Sequence, residues 1–158
     1  MPIRVAINGF GRIGRCLARI IATEVKDISL VVINSRAGAE VHAHLLKYDS
    51  VHGPFPGTVE ARADRLIING KEVILTQIDD TPEKLPWKEL GVDVVLESTG
   101  AFRDRASIAG HLTAGARRVI LSAPGKKIDG TFVYGVNHET FDPAKHFIIS
   151  NASCTTNC

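Results

Sequence analysis

Long apolar runs are missing from this 158-residue chain: stretches such as Leu30-Val31-Val32-Ile33 fall far short of the ~20 residues that span a bilayer. The N-terminal residues Met1 to Ile7 carry no basic segment followed by an extended apolar one, which argues against a secretory signal and for a cytoplasmic protein. Cysteine is scarce. Cys16, Cys154 and Cys158 are an odd number without framework spacing, so free thiols in a reducing compartment are expected rather than a disulfide scaffold. Without secretion, Asn151-Ala152-Ser153 is only a formal glycosylation acceptor. Basic residues cluster no further than the pairs Arg117-Arg118 and Lys126-Lys127, within a net charge of +2, and no dedicated nucleic-acid site is expected. The six histidines, His42, His44, His52, His111, His138 and His146, have no metal-ligand spacing. His42 and His44, two apart on a predicted helix, do not share a face; all six are read as structural or surface residues, and no metal centre is expected. There is no internal repeat and no low-complexity segment.

What is present is 44% apolar and 23% charged, the make-up of an ordinary soluble globular protein with one core. Arg4 to Asn8 read as a strand ending at Gly9, and Ile13, Cys16, Leu17, Ile20 and Ile21 then recur at helical spacing. Ile28 to Ile33 form a nearly continuous apolar strand, as expected where both faces are covered, so the opening is a βαβ unit. A second helix is predicted from about Ala39 to Lys47, with Val41, Leu45 and Leu46 at core spacing. Thr58 to Ala63, Leu66 to Ile68 and Glu72 to Thr76 read as antiparallel strands, Asn69-Gly70 marking a hairpin. Asp79 to Trp87, with Pro82 and Pro86, is a connection with one helical turn at most. Val92 to Leu96 is a further buried strand, Asp104 to Ala114 a helix stopping at Gly115, and Val119 to Leu121, Thr131 to Tyr134 and His146 to Ile149 complete the strands. The fold class is therefore α/β: a doubly wound, mostly parallel Rossmann-type sheet with a small antiparallel insertion.

In such sheets ligands bind beyond the carboxyl ends of the strands. Polar and glycine residues gather there in this sequence, at Asn8 to Gly14, Asn34-Ser35-Arg36, Ser98 to Gly100, Ser122-Ala123 and Ser150 to Cys154, and five strand ends are expected to face one crevice. Gly9-Phe10-Gly11-Arg12-Ile13-Gly14 has the dinucleotide pattern in its required place, after a strand and opening a helix. The first glycine permits a tight turn, the second lets backbone approach a pyrophosphate, and the third lets helix and strand pack closely. The second strand ends in Ser35-Arg36, where an acid would hydrogen-bond the ribose 2′-OH and repel a 2′-phosphate; serine and arginine point to NADP or dual use, with NAD the alternative.

Cys154 follows the apolar run Phe147-Ile148-Ile149 and sits among Ser153, Thr155 and Thr156, at an expected helix start. Backbone N–H groups and the helix dipole favour a thiolate there, the nucleophilic form. The alternative is a small core residue. Cys158, at i+4, is read as packing rather than as a second nucleophile.

Taken together, Asn8 to Arg15, His44 to Gly53, Glu97-Ser98-Thr99-Gly100, Ser122-Ala123-Pro124, Gly135 to His138 and Ser150 to Cys158 resemble the phosphorylating glyceraldehyde-3-phosphate dehydrogenases, over essentially the whole chain. The resemblance implies a dinucleotide-binding domain over 1–150, with 151–158 starting the catalytic-domain helix and the rest of that domain absent. It implies Cys154 as nucleophile; Asn8, Phe10, Gly11, Arg12, Ile13, Asn34, Ser98, Thr99, Gly100, Phe102 and Ser122 as dinucleotide contacts; and Ser153 and Thr155 as contacts of substrate or phosphate. Two departures stand out: Ser35 replaces the aspartate of NAD-using members, and Asp80 stands where many members carry an arginine near the adenine. The family's catalytic histidine and tetramer-forming sheet lie beyond Cys158, and its C-terminal helix returns to pack on this domain. A lone domain is therefore expected to bind cofactor with little turnover and to self-associate through exposed apolar surface. Alternatives are a dehydrogenase acting on erythrose 4-phosphate, a non-catalytic dinucleotide-binding module, and redox sensing through Cys154.

Overall fold

The computed structural model describes residues 1–153 and Thr155. Strand β1 (Ile3–Asn8) leads into helix α1 (Arg12–Thr23), and β2 (Ile28–Asn34) returns parallel to β1. Helix α1 lies close to the sheet because its contact line is made of small residues, Gly14 and Ala18, both buried. Ile13 and Ile20, two of the apolar residues recurring at helical spacing, flank that line and are exposed. Helix α2 (Ala39–Lys47) buries Ala39, His42 and Leu46. Val41 and Leu45, expected in the core, are exposed, since a helix so short has room for only one narrow buried face. Arg19 ties the two helices: its guanidinium donates to the carbonyls of Leu46 and Lys47 at the end of α2, where positive charge meets the negative end of the helix dipole, and to Gly53 O at 2.8 Å.

Strands β3 (Val59–Arg62), β4 (Arg65–Ile68) and β5 (Lys71–Thr76) pair antiparallel. Asn69 and Gly70, at φ +50° and +77°, form the hairpin turn between β4 and β5, as their sequence predicts. β5 then pairs parallel with β2, so the antiparallel segment extends the main sheet rather than standing apart from it. A 3-10 turn at Pro82–Lys84 precedes β6 (Val94–Glu97). The expected helix from Asp104 to Ala114 is two shorter ones, α3 (Arg105–Ile108) and α4 (Gly110–Thr113). Asp104 caps α3 by accepting the Ser107 N–H, and Gly115, at φ +109°, follows α4. Strands β7 (Arg118–Leu121), β8 (Gly130–Thr131) and β9 (Ile148–Ser150) are the last described strands; β8 is two residues long, not the longer strand to Tyr134 expected from the pattern.

Among the described residues nine strands form one sheet in the order β3-β4-β5-β2-β1-β6-β7-β9-β8, parallel except at β3-β4-β5. From β1 the chain winds outward one way through β2 and returns to wind the other way through β6 and β7. The doubly wound α/β architecture expected from the sequence is observed, and its switch point lies beside β1. Two cores fill the faces. One joins Ile7, Phe10, Ala18, Ile33, Leu46 and Leu66 under α1 and α2; the other joins Ala6, Val32, Trp87, Val95, Ile108 and Val119 under α3 and α4. A register shift sets Val5 beside Leu30 but Ala6 beside Val32, which puts Leu30 and Ile33 into the same core. Among the described residues no helix is long and apolar enough to cross a membrane.

Candidate functional site

Outside the carboxyl ends of β1, β2, β5 and β6 lies a crevice of about 540 Å³. Its walls are Asn8 to Gly11, Asn34 to Arg36, Ile78 to Asp80 and Ser98 to Phe102. The three glycines of the first turn meet different surroundings. Gly9 has φ +92°, and a side chain on it would meet Thr99 N at 2.6 Å, so the turn is tight against the end of β6. A side chain on Gly14 would meet Gly9 O at 2.3 Å, the close helix-to-strand approach. A side chain on Gly11 would meet nothing within 4 Å. Gly11 also precedes the first turn of α1, whose N–H groups have no intrahelical acceptors. Open space before a twelve-residue helix N-terminus is what a pyrophosphate needs, and the residues present fit that group.

The turn is held from beneath. Ser98 Oγ donates to Gly9 O at 2.7 Å, Gly9 N–H donates to Asn34 O, and Ser98 N–H to Asn8 O. The side chains of Asn8 and Asn34 are buried and bonded to each other, Asn34 Nδ2 donating to Asn8 Oδ1 at 2.8 Å. Phe10 tucks its ring into the α1–α2 core, edge-on to the ring of His42 at 5.2 Å.

Not every expected cofactor residue lines this crevice. Arg12 turns away from it, pairing with Asp49 at 3.4 Å beside Arg15, Tyr48 and Pro54. The Asp49 carboxyl lies well below the usual carboxylate range, held first by the backbone N–H groups of His52 and Val51. Ile13 and Ser122 lie in a neighbouring groove of about 680 Å³, along with Ser150 and Ser153. The residues after β1, β2 and β6 thus line the crevice, and those at the ends of β7 and β9 line the adjoining groove. Ser153 and Thr155 meet through their hydroxyls at 3.1 Å. Cys154 and Cys158 lie outside the described residues; Cys16 is a free, half-buried thiol.

The crevice also holds Ile78, Asp79 and Asp80, which follow β5; of these the sequence marks only Asp80, through the resemblance, as a position near the adenine. Arg36 Nη2 bonds Asp79 Oδ1 at 3.0 Å, both side chains exposed. Asp80 accepts from Lys84 and from Thr81 N–H, which lower its pKa in that order. A buried hub, Glu97, closes β6; the only signal was a charged residue ending an apolar strand. Among the described residues, no group of three or more His, Cys, Asp or Glu could hold a metal.

A doubly wound sheet with this glycine turn at its switch point defines a dinucleotide-binding α/β domain. Residues 3–105 match the sequence model of the family described as "Glyceraldehyde 3-phosphate dehydrogenase, NAD binding domain", and the chain belongs to that family. It is 54% identical over 160 residues to the glyceraldehyde-3-phosphate dehydrogenase of Pseudomonas aeruginosa, covering 100% of this chain and 47% of that protein. Those of Geobacillus stearothermophilus (52% identity; 100% of this chain and 47% of the relative) and Thermotoga maritima (55%; 98% and 46%) are similar. The chain thus spans about half the length of the curated relatives it matches.

Proposed function

We propose that this chain supplies the dinucleotide half of a phosphorylating glyceraldehyde-3-phosphate dehydrogenase, with residues 1–150 as the nucleotide domain and 151–158 opening the segment that carries the nucleophile. The carrying observation is the Gly11 space at the N-terminus of α1, at the sheet's switch point. Backbone N–H groups from Gly9 to Ile13 would bind the pyrophosphate, Ser35 and Arg36 would meet the adenosine ribose, and Ser98 to Gly100 with Phe102 would wall the crevice. Bound there, a nicotinamide dinucleotide supplies a hydride acceptor. Cys154, as thiolate, would add to the aldehyde carbon of glyceraldehyde 3-phosphate to give a hemithioacetal. Loss of hydride from that carbon leaves a thioester, and inorganic phosphate displaces the thiolate to give 1,3-bisphosphoglycerate. Ser153 and Thr155 hydroxyls would hold substrate or phosphate oxygens beside it. Without a general base from elsewhere, turnover by these residues alone would be lower by about 10²–10⁴-fold.

The cofactor reading is dual use with NADP admitted. Ser35 brings no charge to repel a 2′-phosphate, while Arg36 is bonded to Asp79 and so offers only a partly compensated charge. Calorimetric titration of the folded chain with NAD and NADP should give saturable binding to both, within about tenfold of each other. A clear preference for NAD would defeat the dual-use reading, and binding of neither would defeat the dinucleotide reading. The odd cysteine count and the free Cys16 thiol support a cytoplasmic setting. The exposed apolar groove supports self-association of this chain; a strictly monomeric sedimentation profile across concentrations would contradict it.

A further inference from the structure

Beneath the crevice runs a directional chain of buried and part-buried hydrogen bonds. Ile78 N–H and the Thr76 hydroxyl donate to Asn34 Oδ1; Asn34 Nδ2 donates to Asn8 Oδ1; Asn8 Nδ2 donates to Glu97 Oε2 at 2.6 Å. Glu97 Oε1 accepts both the N–H and the hydroxyl of Thr99. From the opposite side His111 Nε2 meets Glu97 Oε2 at 3.0 Å, and Trp87 Nε1 donates to His111 Nδ1 at 2.9 Å. An indole N–H can only donate, so His111 Nδ1 must accept; the proton of the neutral ring is then on Nε2, aimed at Glu97. Glu97 receives four donors, a full set for a carboxylate whose side chain is 1% exposed.

The two ends of this chain fix its sense. Ile78 N–H is a backbone donor that cannot be reversed, and a carboxylate is an acceptor only. The Asn8 and Asn34 amides between them have one orientation that satisfies both ends, and they join the ends of β1, β2 and β6 just where the backbone ladder stops and the Gly9–Gly11 turn begins. We propose that Glu97, backed by His111 and Trp87, is a positioning residue for the dinucleotide site: it holds the floor of the crevice in register and so sets where the Gly9–Gly11 backbone meets the ligand. The proposal rests on the dinucleotide reading of the crevice.

Glu97→Gln tests it with almost no change in shape. The amide must set an NH2 against either the Asn8 and His111 donors or the Thr99 donors, and a compensating flip of Asn8 is blocked by Asn34 and Ile78. In a variant still folded by circular dichroism, NAD and NADP should bind about tenfold or more weakly than to the parent chain. The chain has a single tryptophan, so its indole N–H gives one unambiguous NMR resonance. Trp87 is fully buried and outside the crevice, yet NAD added to the parent chain should shift that resonance, and the shift should be lost in Glu97→Gln. A merely structural carboxylate would lower the melting temperature and leave both readouts alone. If the parent binds and folded Glu97→Gln binds equally well, the positioning role is overturned while the dinucleotide reading stands. If the parent chain binds neither dinucleotide, both fall. Should the variant not fold, the parent's indole resonance decides, and no shift at saturating NAD overturns the proposal.

Discussion

Two concavities lie near the start of α1 and the end of β6, and they are built on opposite terms. The crevice beyond β1 and β6 is polar, and its floor is a set of buried groups that satisfy one another from Ile78 to Trp87. The groove on the other flank of α1 is apolar, lined by Leu17, Leu96, Ile120, Phe132 and Ile149, which nothing in the described structure covers fully. The strands bordering both read alike, as short Val/Ile/Leu runs. The difference lies in what lies over them: α1 and α2 close the β1–β2 half on one face and reach Leu96 of β6, while among the described residues Ile120 of β7 and Ile149 of β9 stay half-buried along the groove, opposite the α3–α4 face. An apolar run states what a strand requires, not which element supplies it.

The glycine turn gives the largest effect with which to break the comparison. Gly14→Ala would drive a methyl into Gly9 O and push α1 from β1, disturbing both concavities at once. We expect a loss of ~2–3 kcal/mol of stability together with weaker dinucleotide binding. Gly11→Ala, at φ −73° and facing open space, should leave stability within ~0.5 kcal/mol yet weaken dinucleotide binding by about tenfold, since the methyl occupies the ligand's volume. Denaturant melts beside calorimetric titrations separate the two effects. Equal affinity in Gly11→Ala and the parent would place the pyrophosphate elsewhere.

Much of this was legible in the sequence. The order of strands and helices, the hairpin at Asn69-Gly70, the tight turn at Gly9 and the close approach at Gly14 all follow from local chemistry, because turns and glycine contacts are fixed within a few residues. Long-range placement was not legible. Leu45 and Val41 have apolar side chains at plausible spacing, but the buried face of α2 was decided by how the helix meets Phe10 and Phe55. Glu97 and His111 are 14 residues apart in sequence, and nothing local marks them as partners. Nothing in the residue pattern brings Asp79 to the crevice, and Asp80 is marked only by the resemblance, because the parallel pairing of β5 with β2 cannot be seen in an alternating pattern.

Strand β7 offers a smaller and more direct test, since neighbouring residues face the two environments. Val119 is wholly buried under α4, whereas Ile120 faces the groove and is half-buried. Val119→Thr keeps the β-branch but buries a hydroxyl, and should cost ~1–3 kcal/mol. Ile120→Thr should cost less than ~1 kcal/mol, leave dinucleotide affinity unchanged, and reduce both self-association and binding of an apolar dye. Equal costs in paired urea titrations would mean that the groove face is as well covered as the other, and the contrast between the two concavities would fail.

His42 is the exception that sharpens the contrast from the polar side. It lies behind the crevice wall, 4% exposed, and neither ring nitrogen has a hydrogen-bond partner among the described residues, unlike the matched groups around Glu97. Burial lowers its pKa from the ordinary ~6.5, and the positive charge of Arg15 lowers it further. The unfolded chain then takes up the proton first, so the stability tied to neutral His42 is complete above ~6.5 and is lost as pH falls from there through the folded-state value. His42→Leu removes two unpaired polar atoms while keeping an apolar contact to Phe10. At pH 8 it should match or exceed the parent by up to ~1 kcal/mol, and its advantage should widen as pH falls from 6.5 toward 5. Parallel stability curves across that interval would show that His42 finds partners in solution, and that the packing behind Phe10 is as well matched as the floor beneath Gly9.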